Sequence, residues 1–231
     1  MPASLGASTW RSLAAADPPV VVIPLGSCEQ HGPHLPLDTD TRIAVTLAGE
    51  LADRRARVLV APAFGVGASW EHDGFPGLLS ITAGLLTELL VEVVRSADWA
   101  SGLVLVSGHG GNVGGLAVAV DRLRKEGRDV LAWCPTNAVV RRVIGEAGRH
   151  DHHAGRSETS ILLALDHAAV DEERLELGWT GPLEDVLAAS VKTLSPNGVL
   201  GDPTGASAEE GWLLLDALAD DLVTSYDRWR A

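Results

Sequence analysis

Val20-Val21-Val22-Ile23-Pro24-Leu25-Gly26-Ser27-Cys28-Glu29-Gln30-His31-Gly32-Pro33-His34 is the stretch that decides the fold. Its first six residues are apolar without alternation and end at Gly26. A run this short, rich in β-branched residues, reads as a strand buried on both faces, the habit of parallel sheets. Residues 58–61, 103–106 and 130–133 repeat the pattern. Between them, residues 41–54, 85–97 and 113–124 carry apolar side chains at helical spacing. Residues 208–229 read as a long C-terminal helix with Glu209 and Glu210 in its first turn, where carboxylates suit the helix dipole. Strand and helix alternate, so the class is α/β with a mostly parallel sheet. The less regular stretch 166–192 reads as a lid or an interface segment.

The 231 residues suit one domain spanning 1–231. A chain of this size buries a full core without a disulfide or structural metal, so a metal here would serve chemistry. Acidic residues outnumber basic ones, 31 to 18, which argues against nucleic acid and anionic membrane as partners. No apolar run approaches a membrane span. Cys28 and Cys134 form neither a CxxC pair nor a disulfide ladder, and residues 1–19 lack the basic start and apolar middle of a secretion signal. The expectation is a soluble, cytoplasmic protein.

In open parallel sheets, ligands bind beyond the carboxyl ends of the strands. Four polar clusters, residues 27–40, 70–77, 107–112 and 150–158, are placed to meet there. Glu29 and His31, two apart in extended backbone, project to one side and can grip the same dication or two adjacent ones. Asp40 follows across a Gly/Pro turn, at a helix start, with two oxygens able to bridge two metals. Taken singly, these residues read as an exposed acid, a turn histidine and a helix cap. Together, directly after a buried strand, they read as metal ligands. His109 sits in Ser107-Gly108-His109-Gly110-Gly111-Asn112, which lacks the spacing of a dinucleotide fingerprint. A ligand histidine, with Asn112 positioning it or the substrate, is the better account. His150 and His152 read as surface-loop residues. Trp70 and His72 are candidate pocket walls, with a core role open for Trp70. There is no HExxH, no GxSxG and no Gly-Lys pair, which leaves metal-activated water as the nucleophile.

At this point the sequence resembles the creatininase (creatinine amidohydrolase) family. The matching text is Pro24 through Asp40, Phe75-Pro76-Gly77, Ser107 through Asn112, and His153-Ala154-Gly155-Arg156-Ser157-Glu158-Thr159-Ser160. The resemblance implies a three-layer sandwich and a binuclear metal site. Glu29, Asp40 and His109 would hold one cation. His31, Asp40 and a further carboxylate would hold the other. Creatininase itself carries a glutamate where this chain has Gly111, so Glu158 is implied as the replacement ligand and creatinine is disfavoured as substrate. The resemblance gives His153 a role on the oxyanion or the leaving nitrogen, as acid, base or donor. It makes His34 either an orienting partner of a ligand or a turn residue. Fe2+ or Zn2+ is preferred, with Mn2+ possible, and a homo-oligomer, a hexamer or similar, is implied. A narrower likeness, from Ser195 through Gly211, is to the mycofactocin-system branch of the family. That branch trims a modified precursor peptide and releases its cross-linked C-terminal Val-Tyr unit. Two alternatives stay open: an amidohydrolase acting on another small amide, a formamide or lactam, and a metal-free α/β binding protein.

Overall fold

The structure, a computed structural model, describes residues 3–231. Met1 and Pro2, the start of the stretch read for a secretion signal, lie outside it. Four strands form one parallel sheet in the order β2-β1-β3-β4. They are β1 Val20–Leu25, β2 Val58–Val60, β3 Gly102–Ser107 and β4 Val130–Trp133. The helices are α1 Trp10–Ala14, α2 Thr39–Arg54, α3 Ala83–Ser96, α4 Val113–Lys125 and α5 Asn137–Ile144. They continue as α6 Arg156–Leu165, α7 Leu183–Ala188, α8 Val191–Leu194 and α9 Ala208–Arg230. Each expected strand and helix is present, with ends moved by at most two residues.

All six residues of β1 and of β3 are buried. Alternate side chains feed two cores. Val20, Val22, Val104 and Val106 pack against α2, α5, α6 and α9. Val21, Ile23, Leu25, Leu103 and Leu105 pack against α3 and α4. Helices on both faces of the sheet make the expected three-layer α/β sandwich. Pro24 stands inside the central strand β1, where a missing N–H normally breaks a ladder. Its carbonyl accepts from Phe64 N–H, on the side where β2 has already ended at Val60, so no ladder bond is lost.

The stretch 166–192 does not add to the sheet. Val186 and Val191 pack with Leu200, Phe75 and Trp179 in a small separate cluster, and Val186, Ala189, Ser190 and Val191 form one wall of a deep cavity. Among the described residues, no helix is long and apolar enough to cross a membrane. Both cysteines are free.

Candidate metal centre

The cavity lies beyond the carboxyl ends of the strands, with a volume of about 650 Å³. Asp40, His109, His153 and Glu158 line it together with Trp70, Glu71, His72 and His152. The loop after β1 supplies Glu29 and His31, and the first turn of α2 supplies Asp40. His109 follows β3, and Glu158 stands in the first turn of α6. Gly108 allows this convergence, because a Cβ there would collide with the carbonyl of Asp40.

Asp40 is wholly enclosed and fully engaged. Ser27 Oγ donates to its Oδ2 at 2.5 Å, His31 Nε2 lies 3.1 Å from Oδ1, and His109 Nδ1 lies 3.2 Å from Oδ2. Burial opposes its charge, but His31 and His109 outweigh burial and hold the carboxyl well below its usual range. Glu29 is equally enclosed and lacks such support. His72 Nε2, His109 Nδ1 and His153 Nδ1 lie 3.1, 3.3 and 3.6 Å from its Oε1, yet neither carboxylate oxygen accepts a hydrogen bond. Burial pushes its carboxyl up to about 8. Burial likewise raises Glu158 to about 7, although Ala154 N–H donates to its Oε2 at 2.6 Å. Ala154 adopts a left-handed φ of 51° to aim that N–H.

The imidazoles split in the same way. Burial disfavours charge on His31, but Asp40 outweighs it and raises the ring to about 9. Burial is likewise outweighed at His109, by Glu29, Asp40 and Glu71, and its ring titrates well above the usual value. Burial lowers His72 to about 3 and His34 to about 4, and burial together with His31 and His72 keeps His153 neutral. His31 Nδ1 lies 3.2 Å from the Glu29 carbonyl and donates there, while Nε2 faces Asp40 Oδ1 at 3.1 Å and donates to it when the ring is charged.

Among the described residues, three sets of side chains bring ligand atoms close enough to share an ion: Glu29, His31 and Asp40; His31, His153 and Glu158; and Glu29, His72 and His153. The donor set suits a divalent cation, since a buried carboxylate with no hydrogen bond and no ammonium or guanidinium partner needs positive charge from elsewhere.

The sequence reading placed most of these residues and misplaced a few. Trp70 is 55% exposed and lines the cavity, so it is a wall and not core. His72 is more than a wall, because its ring touches Glu29. His152 is half-buried on the cavity rim, not in a free surface loop. Asn112 does not reach substrate space. It is fully buried, accepting from Ala68 N–H at 2.9 Å and donating to the Gly26 carbonyl at 3.1 Å, so it ties three loops together. His34 bonds no cluster side chain. Its Nε2 is 2.9 Å from Thr159 Oγ1, beside Glu158 on α6, so it steadies the helix that carries that glutamate.

Gln30 and Glu71 escaped the sequence reading. Gln30 Nε2 donates to the Gly198 carbonyl at 3.0 Å and lies 3.0 Å from His72 Nδ1, while its Oε1 accepts from Gly32 N–H. The available signal was position: Gln30 stands between Glu29 and His31, and Glu71 stands between Trp70 and His72.

The family model described as "Creatininase: Creatinine amidohydrolase" matches residues 6–226. The chain is 47% identical to the mycofactocin precursor peptide peptidase of Mycobacterium tuberculosis (strain CDC 1551 / Oshkosh), over 97% of this chain and 91% of that one. It is 45% identical to the same-named protein of Mycolicibacterium smegmatis, over 99% and 92%. A solved structure described as "Creatininase Mn" superposes with a TM-score of 0.80 at 27% identity, covering 97% of each chain. The chain therefore belongs to the creatinine amidohydrolase family.

Proposed function

We propose that this hydrolase is a peptidase of the mycofactocin system, cleaving one amide bond of the modified precursor peptide to release its cross-linked C-terminal Val-Tyr unit. The observation that carries the chemistry is the enclosed cluster of carboxylates and imidazoles at the floor of an open cavity. Near-full-length likeness to the two mycobacterial peptidases supports the substrate.

The cluster would suit two divalent cations. Glu29, Asp40 and His109 would hold one, and His31, Asp40 and Glu158 the other, with Asp40 between them. When bound, such ions polarise the amide carbonyl and make water acidic enough to attack at neutral pH. Fe2+ or Zn2+ is preferred and Mn2+ is compatible with the same ligands. The chain's own groups do the rest. His153 Nε2 lies 2.7 Å from the Gln30 carbonyl, which assigns the proton to that nitrogen and leaves the Nδ1 lone pair facing the cluster. That lone pair can take a proton from the attacking water and return it to the leaving nitrogen. Trp70, Val191 and Leu200 offer apolar wall to the peptide's side chains. A homo-oligomer, hexameric or similar, and a cytoplasmic setting belong to the same proposal.

The test is a cleavage assay on the modified precursor, with products followed by mass spectrometry. Metal-dependent release of the C-terminal unit is expected. Intact peptide, incubated with protein shown to hold two cations, would move the substrate to another small amide.

A further inference from the structure

His109 is held at both ring nitrogens. Nδ1 faces Glu29 Oε1 at 3.3 Å and Asp40 Oδ2 at 3.2 Å. On the far side, Nε2 lies 3.1 Å from the Ala68 carbonyl and 3.4 Å from Glu71 Oε1. Both outer partners are acceptors, so Nε2 keeps its hydrogen, and a cation that displaced the Nδ1 proton would meet the lone pair on the cluster side. Glu71 comes from the short turn Trp70–His72, and its side chain is 32% exposed at the cavity wall. Gly111 makes room for this arrangement. A Cβ on residue 111 would collide at once with Glu71 Oε1, the Ala68 carbonyl and His109 Nε2. The absence of a side chain at 111 and the presence of a carboxylate at 71 thus form one local design.

We infer that Glu71 is a positioning residue. It fixes the tautomer and orientation of His109, strengthens the Nδ1 donor, and selectively tightens the cation at the Glu29–Asp40–His109 end. A carboxylate behind a ligating imidazole raises that ligand's basicity. The inference rests on the proposed reading that His109 holds a cation.

The test compares the full-length parent with Glu71→Ala, Glu71→Gln and Gly111→Ala. Affinity for Zn2+ is read by chelator competition, and Co2+ uptake by its visible absorption. In Glu71→Ala, one of the two equivalents should weaken by about 10- to 100-fold while the other keeps its affinity. The Co2+ bands of the weakened equivalent should shift. Glu71→Gln, which keeps a neutral acceptor, should recover part of the loss, and it serves as the control if the alanine variant folds poorly. Gly111→Ala should weaken the same equivalent. Two equivalents as tight as the parent's in Glu71→Ala, or equal weakening of both, would overturn the inference while leaving the metal reading intact. A parent that takes up neither Zn2+ nor Co2+ would overturn both.

Discussion

Carboxylates on the α2–α9 seam and carboxylates at the cavity floor meet opposite company. On the seam, Arg54 reaches Glu50, Asp216 and Asp220, at 3.0, 2.9 and 2.6 Å, and Arg55 pairs with Asp227. These acids are at least 41% exposed in their side chains and have a permanent cation beside them. At the floor, Glu29 and Asp40 are almost fully enclosed, and among the described residues only imidazoles come within ion-pairing distance of them. The seam has permanent cations on its own chain, and water solvates the rest of its charge. The floor has no permanent cation of its own, and two divalent cations would take that place.

The largest test of this contrast is Asp40→Ala. Removing the shared carboxylate should deplete both cations and lower activity by more than about 100-fold, beyond the loss expected for an outer partner of a ligand. Elemental analysis of the variant reads this directly, and two retained equivalents would break the assignment of Asp40 as the bridge.

Stability against pH sharpens the same point in metal-free protein. Glu29 titrates near 8 when folded against 4.5 as its ordinary value, and His31 near 9 against 6.5. Both bind protons more tightly in the folded state. Their contribution is complete below the ordinary value and is lost as pH rises through the folded one. His34 and His72, near 4 and 3 when folded, run the other way, and their contribution is essentially complete above 6.5. From pH 7 to 9, metal-free protein should therefore lose roughly 5 °C or more in Tm, and added Zn2+ should abolish the fall. Glu29→Gln should make the metal-free fall shallower, leaving the part that belongs to His31, since no charge then appears at position 29. Calorimetric scans of the parent with and without Zn2+ and of the metal-free variant check it, and a rising profile would contradict the absence of a permanent cation at the floor.

The smallest effect belongs to the seam. Each ion pair of Arg54 should contribute no more than about 1 kcal/mol, because its acids are solvated. Urea unfolding of Asp216→Ala reads this. A loss of several kcal/mol would erase the distinction between seam and floor.

How much of this was legible in the sequence follows from where information is local. β1 showed itself because a strand buried on both faces must be continuously apolar, and Glu29, His31 and Asp40 showed themselves because they follow it within one loop. His109 was legible for the same reason after β3. Of the two roles open to Asn112, the substrate-facing one does not match its burial, because a buried amide and a substrate-facing amide look alike in sequence; only the approach of Ala68 and Gly26 tells them apart. His72 and Glu71 were underrated because their partners stand far away along the chain, at Glu29 and His109. The stretch 166–192 was undecided because the partners of Val186 and Val191, Leu200 and Phe75, lie outside it along the chain.

The most direct test of the account is the metal content of the full-length protein, prepared without oxygen in the presence of Fe2+ or Zn2+. Two equivalents of divalent metal per chain are predicted. One equivalent or none would contradict the claim that the enclosed carboxylates of the cavity floor are built around a pair of cations.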